Sequence, residues 1–394
     1  MSAARSSIVI TKIARTPIGK FQGSLSSLSA SALASVAIRS VVQGLGDVPI
    51  TEAILGTVVS AGQGQAPARQ AILGAGLSDG TVCTTINKVC ASGMKSVMMA
   101  SQALQCGGQG NAIVAGGFES MSNIPHYLTS LRKGKGMGNA EVVDGMIHDG
   151  LWDPYDNQHM GMCAEKCATD FNISREDQDS YTVESYTRAQ ASLNLFEEVV
   201  PVSVPQRKGK PLVVAQDEEP HNVSIDRIPN LSPAFDRKSG TVTAANSSTL
   251  NDGACAMVLM AEETAKAHNI PILARIRSMA DAAQAPVLFT TTPAMAVRQA
   301  VVQAGMSLDD IEYHEINEAF SVVALANQQL LGVQHDRLNV FGGAVALGHP
   351  IGMSGARIIG TLYQVLKHHD ATIGCASICN GGGGASAMVI ERVK

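Results

Sequence analysis

Two distant stretches of this 394-residue chain repeat one pattern, and that echo limits the fold more than any bulk property. Cys90 precedes a Ser-Gly-Met turn, a helical stretch and an apolar strand near residue 112. His349 precedes an Ile-Gly-Met turn, a helical stretch and a strand near residue 373. The offsets agree to within a residue or two, as duplication of one βαβ-rich unit requires. Met94, Val97, Met98 and Leu104 recur at helical spacing in the first copy, and Ile358, Ile359, Leu362 and Leu366 in the second. Packed about a pseudo-twofold axis, the copies would aim both helix N-termini at one central site.

Strands are expected at 7–13, 54–60, 111–115, 254–259, 311–316 and 372–378, and helices at 28–45, 68–75 and 175–195. Alternation of strands with helices predicts a mostly parallel sheet in an α/β fold. Asn317 is expected to start a helix as its N-cap, and 340–347 to run as a Gly-rich strand into a loop. From about 120 to 246 the texture changes: six of the 15 prolines fall between Pro201 and Pro233, and charge density rises. That length exceeds a simple connection. The expected domains are therefore 1–120 completed by 247–271, an inserted lobe at 121–246, and 272–394. Two basic clusters in the lobe, Arg132-Lys133-Gly134-Lys135 and Arg207-Lys208-Gly209-Lys210, read as solvated loops or subunit contacts.

A net charge of -5 argues against a general nucleic-acid or membrane-surface role. No apolar run approaches the ~20 residues of a membrane span. Eight scattered cysteines without a CxxC pair favour a reducing compartment, and neither Cys163/Cys167 nor Cys375/Cys379 has zinc-site spacing. The opening MSAARSSIVI has no signal-peptide core and the ending ERVK is not a peroxisomal tripeptide, so a cytoplasmic or mitochondrial location is expected.

Cys90, Asn317, His349 and Cys379 each fall in a small-residue-rich turn after an expected strand. Singly, each has a plain structural explanation: a buried thiol, a cap, a hydrogen-bonded turn residue, core filler. Jointly they suit acyl transfer. A thiolate near a helix N-terminus is favoured by free N–H groups, needs a base such as His349, and needs preorganised donors for an oxyanion. Cys379 stands before four glycines, Gly381 to Gly384, whose N–H groups are unobstructed. A second sulfur suggests a second proton transfer, removal of a proton α to a thioester carbonyl. Two acyl groups then point to a Claisen condensation or its reversal.

The runs INKVCASGMKS, VAGGFESMS, TVTAANSSTLNDGA, EINEAFS, GGAVALGHPIGMSGAR and CNGGGGASA resemble those of the thiolase family, most closely its mitochondrial acetoacetyl-CoA type, from about Ile8 to Ile390. The resemblance implies a five-layered αβαβα fold from two similar halves, with an inserted loop domain covering the coenzyme A site. It implies acetyl-CoA C-acetyltransferase activity, with Cys90 acetylated, His349 activating it, Asn317 holding a water beside one oxyanion hole, and Cys379 as acid/base. The N–H groups of Cys90 and Gly381 would form the second hole.

By the same resemblance, Leu151, His159, Met160, Arg227, Phe235, Ala244, Ser248, Ala319, Phe320 and Tyr186 belong to the coenzyme site. Tyr186, Ala244, Ala245, Ser247 and Val345 match a potassium site. The substrates would be acetyl-CoA and acetoacetyl-CoA, in lipid and ketone-body metabolism, with no cofactor needed for the chemistry and a homotetramer as the expected assembly. Two positions depart from the subgroup: Asn222 stands where it carries a basic residue, and Phe289-Thr290 replaces a Phe-Pro pair in the loop linked to 2-methyl-branched substrates. The alternatives are a 3-ketoacyl-CoA thiolase of broader or branched range and a non-catalytic acyl-CoA binding protein.

Overall fold

The computed structural model describes residues 7–107 and 112–394, and in it the duplication is visible strand by strand. The first half contains β1 (Ile8–Arg15), α1 (Ala30–Val41), β2 (Ile50–Gly56), α2 (Pro67–Gly74), β3 (Val82–Ile86), α3 (Ser92–Gln105) and β4 (Ala112–Ser120). A long excursion follows, carrying α4 (Met160–Asp170) and α5 (Arg175–Ser192), before β5 (Asn251–Ala261) and the short α6 (Glu262–Ala267). The second half has β6 (Ala274–Ala283), α7 (Thr292–Gln303), β7 (Tyr313–Ile316), α8 (Ser321–Leu331), α9 (Ala344–Leu347), α10 (Ser354–His368), β8 (Ile373–Asn380) and β9 (Gly384–Arg392).

The main strands run β3-β2-β4-β5-β1 and then β6-β9-β8-β7. β2 lies parallel to β4, while β4–β5 and β5–β1 are antiparallel. β7 lies parallel to β8, while β8–β9 and β9–β6 are antiparallel. Order and direction repeat, and the strands of the two halves pair at Val9↔Arg275 and Ile10↔Ala274. The sheet is therefore mixed, not mostly parallel. β9 follows β8 through a tight turn and so runs against it, whereas β5 returns against β4 only after the long excursion. One topological slot holds very different segments in the two halves. Between β4 and β5 lies the excursion; between β8 and β9 lies only the turn Gly381–Gly383.

Both faces of each half are covered. On β5, Ala254, Ala256, Val258 and Met260 pack in one cluster with α1 and α2 residues, while Cys255, Met257 and Leu259 join α3 and α10 in another. That two-residue alternation between two apolar layers is what a doubly buried strand requires. A third cluster puts Val297, Val301 and Ala324 of α7 and α8 on the far face of the second half, against Cys375 and Val389. The layers are thus α, β, α, β, α.

In the middle layer the starts of α3 and α10 touch. A Cβ on Gly93 would lie 2.8 Å from the Ala356 nitrogen, and one on Gly355 2.5 Å from that of Met94. Only glycine permits this approach, and it holds the Cys90 and His349 turns side by side.

Several local expectations change. Asn317 does not cap a helix. Its N–H donates to Ser377 O at 2.9 Å, continuing the β7–β8 ladder, and α8 starts at Ser321. Residues 344–347 form a helical turn, because Gly342 has φ +77° and Glu318 accepts the Val345 N–H at 3.1 Å. Cys379 lies inside β8 and not in the turn after it. Of the strand expected at 111–115, Asn111 lies outside the described residues.

Candidate active site

A cavity of about 600 Å³ is faced by Cys90, His349 and Gly381 from the two halves and by Leu151, His159, Met160 and Phe235 from the excursion. Ala244, Ser247, Ser248, Ala319 and Phe320 complete the wall between them. No helix among the described residues is long and apolar enough to cross a membrane.

The Cys90 loop is strained and firmly held. Val89 has φ +48°, a left-handed conformation that β-branched residues rarely adopt and that costs on the order of 1–3 kcal/mol. Asn87 donates to Val58 O at 2.9 Å and accepts the Val89 N–H at 2.8 Å. Ser92 Oγ accepts the Lys88 N–H at 2.8 Å and donates to Val89 O at 2.6 Å. Lys88 Nζ crosses to the second half, meeting Asp281 at 2.5 Å and Ser386 Oγ at 2.7 Å. Burial pushes the Cys90 thiol up to about 11, while the Gly381 N–H and its own N–H pull it back down. Those two N–H groups are placed to stabilise negative charge at this spot.

His349 is buried and its N–H donates to Asn251 Oδ1 at 2.8 Å. Nδ1 lies 2.5 Å from Ser354 Oγ, and Nε2 has no partner among the described residues. Burial, with Arg357 adding, pushes the imidazole down to about 3, so the ring is neutral when the cavity is empty. Asn317 Oδ1 accepts from Arg357 at 3.5 Å, and Nδ2 has no partner among the described residues, so it is placed to donate. Glu315 shares this buried pocket. Burial pushes its carboxyl up to about 8, with Arg357 opposing.

Cys379 does not line the cavity. It is fully buried in an apolar cluster with Met160, Ala319 and Phe320, which do line it. Burial raises its thiol strongly, and the next cause is the charge of Cys90, so the two sulfurs are electrostatic neighbours.

At the other end His159 caps α4: Nδ1 accepts the Gly161 N–H at 3.1 Å, which leaves Nε2–H as the donor. Its ring stacks on Phe235 at 4.6 Å between centroids, and Phe235 meets Phe320 edge-on at 6.1 Å. Arg227 is exposed in the 225–230 turn and does not line the cavity; Tyr186 is buried on α5, also away from the wall. Sequence reasoning passed over Glu119, Asn251, Ser354 and Arg357. A visible signal existed for Glu119, an acid inside an otherwise apolar and small-residue strand.

A cysteine held beside a strained valine, a neutral imidazole and free glycine N–H groups at the junction of two duplicated halves define an αβαβα acyltransferase. Residues 8–263 match the thiolase N-terminal domain and residues 270–392 the thiolase C-terminal domain. The chain belongs to the thiolase family. It is 52% identical over 393 residues to "Acetyl-CoA acetyltransferase A, mitochondrial" of Xenopus laevis, covering 98% of this chain and 92% of that one. It is 49% identical over 392 residues to a cytosolic acetyl-CoA acetyltransferase of Gibberella zeae, covering 98% of each. Among solved structures, the Acat5 thiolase of Ascaris suum in complex with coenzyme A superposes with a TM-score of 0.93 at 42% identity, over 98% of this chain and 100% of that one.

Proposed function

We propose that this chain is an acetyl-CoA acetyltransferase that joins two acetyl-CoA molecules into acetoacetyl-CoA and free CoA, and runs the reverse thiolysis. The observation that carries this is one cavity faced by Cys90, His349 and Gly381, with the Cys379 sulfur behind its wall. In the first half-reaction His349 Nε2 takes the Cys90 proton, and the thiolate attacks the acetyl carbonyl. The C–S bond to CoA breaks, and Cys379 gives its proton to the leaving sulfur. In the second, the Cys379 thiolate removes a proton from the methyl of a new acetyl-CoA. The enolate attacks acetyl-Cys90, the Cys90 C–S bond breaks, and the released Cys90 sulfur takes back the proton held on His349, so both cysteines and the imidazole return to their starting protonation. Negative charge on the acetyl oxygen falls to the N–H groups of Cys90 and Gly381. The enolate oxygen falls to His349 and to a water held by Asn317 Nδ2. Loss of one such donor typically costs ~10²–10³ in rate.

The pantetheine arm would run past His159, Met160 and Phe235, with Leu151, Ala244, Ser248, Ala319 and Phe320 beside it and Arg227 toward the phosphates. A potassium site fits the residues present. Burial and the charges of Glu219 and Glu318 raise the Tyr186 hydroxyl's pKa, and among the described residues nothing hydrogen-bonds it. Tyr186 and the carbonyls of Ala244, Ala245, Ser247 and Val345 would hold the ion, which supplies a hard positive charge for those oxygens. Phe289 faces the cavity, and Thr290 after it departs from the Phe-Pro pair of the resembling subgroup, which supports acetoacetyl-CoA as the substrate over its 2-methyl derivative. The assembly is a homotetramer working on cytosolic or mitochondrial acetyl-CoA. Incubation with acetyl-CoA followed by mass mapping tests the core reading. An acetyl group on the Cys90 peptide and formation of acetoacetyl-CoA are expected; a protein that binds CoA without either is a carrier.

A further inference from the structure

We infer that Glu119 is a positioning residue that couples the Cys90 loop to the His349 loop across the junction of the two halves. The inference rests on the acyl-transfer reading above. Glu119 is fully buried near the end of β4, in a strand whose other members are apolar, Gly or Ser. It does not line the cavity, so it does not meet substrate. Its charge nevertheless acts on Cys90, pushing the thiol up, which places the carboxylate close behind the nucleophile.

Four donors converge on this one group. Oε1 accepts from Thr57 Oγ1 at 3.2 Å and from the Val59 N–H at 3.2 Å. Oε2 accepts from the Val58 N–H at 2.8 Å and from the Gly352 N–H at 3.0 Å. A carboxylate has about four lone-pair sites, and these four donors occupy them. Burial pushes its pKa up to about 7, against all four donors. Among the described residues no Lys, Arg or His forms an ion pair with it. A buried carboxylate without a counter-ion is retained at considerable expense in free energy, so its geometry does something an apolar residue would not.

The donors belong to two different loops. Thr57, Val58 and Val59 follow β2 in the first half. Val58 O receives the Asn87 side chain, and Asn87 in turn fixes the N–H of strained Val89, next to Cys90. Gly352 belongs to the second half, three residues after His349, and a Cβ there would lie 2.6 Å from Glu119 Oε2. One carboxylate thus ties the nucleophile's loop and the base's loop to a common point. Among the described residues the two loops otherwise meet through packing, with Val58 and Val59 in one cluster with Ile351.

The test is steady-state thiolysis of acetoacetyl-CoA by Glu119→Gln. An amide oxygen offers two acceptor sites where the carboxylate offers four, so at least one N–H loses its partner. Misplacement by a fraction of an ångström should lower kcat about 10-fold or more, with KM for both substrates within about twofold of wild type. Thr57→Val removes one donor, leaves the backbone contacts intact and should lower kcat about threefold, again at constant KM. If Glu119→Gln does not fold, the Thr57→Val result alone decides. A kcat within error of wild type in the folded variant, or a loss confined to KM, overturns the inference. Wild-type turnover in the same assay keeps that failure separate from failure of the acyl-transfer reading.

Discussion

His349 Nδ1 and the Oγ of Ser354, the first residue of α10, lie 2.5 Å apart, and this contact selects the imidazole's tautomer. Ser354 also lies 3.0 Å from Pro350 O, an acceptor that takes its only proton. Its oxygen can then only accept from the ring, so Nδ1 carries the hydrogen and Nε2 presents a bare lone pair. Ser354→Ala removes that acceptor and lets the hydrogen move to Nε2. A fall in kcat of ~10–100-fold is expected, with the acetylation burst slowed and coenzyme affinity unchanged. Nitrogen NMR of the labelled ring reads the tautomer directly, and a wild-type ring spectrum in the variant would refute the assignment.

The two sulfurs should separate by half-reaction. Cys90→Ala abolishes acetyl labelling and turnover together. Cys379→Ser keeps a Cys90 thiol able to take an acetyl group, so labelling by acetyl-CoA persists at a reduced rate. Condensation should fall by ~10³ or more, because the hydroxyl is a far weaker base toward a carbon acid. Mass mapping of the Cys90 peptide beside an acetoacetyl-CoA assay measures both. Equal loss in the two steps would remove Cys379 from its assigned role.

Asp281 fastens the nucleophile loop electrostatically. Burial pushes its carboxyl up, but Lys88, Lys95 and Ser386 outweigh that and hold it at about 2, below the ordinary 3.8. A carboxylate with a depressed folded pKa stabilises above its unfolded value and loses that contribution as pH falls through the folded one. Because the group is about one-third exposed, the pairs are worth only about 1 kcal/mol after screening. The stability gap between wild type and Asp281→Asn should therefore be constant from pH 7 to about 5, shrink between about 4 and 2, and narrow in salt. Urea midpoints at each pH provide the comparison, and a gap that widens on acidification would contradict it.

The duplication was legible because it depends on local patterns; the five layers came only from the family resemblance, and of the four polar residues singled out, Cys90 and His349 face one cavity while Cys379 lies behind its wall. Helical spacing after Cys90 and His349 reports α3 and α10, and Arg175 opens α5 where the spacing puts it. The direction of β5 was not legible, since it returns through the long excursion, whose path depends on tertiary packing. Asn317 misled for a related reason. A capping residue and a ladder residue look alike in sequence, and only the Ser377 carbonyl, sixty positions away, decides between them. Ser354 and Asn251 were invisible as partners of His349 because one serves through a turn not yet formed and the other through a contact between halves.

The coenzyme wall offers a prediction in which binding and chemistry come apart. Phe235 stacks on His159 and meets Phe320 edge-on, and a Cβ on Gly161 would fall 2.3 Å from its ring. The ring therefore occupies a slot that exists only because residue 161 is glycine. Phe235→Ala empties the slot and frees the His159 ring, while Cys90 and His349 keep their surroundings. An aromatic contact of this kind is worth about 0.5–1.5 kcal/mol beyond its buried area, so KM for acetyl-CoA should rise about 10-fold with kcat within about threefold of wild type. Gly161→Ala should have the same effect by expelling the ring instead of deleting it. If the two substitutions diverge, with one sparing KM, the stack does not hold the coenzyme.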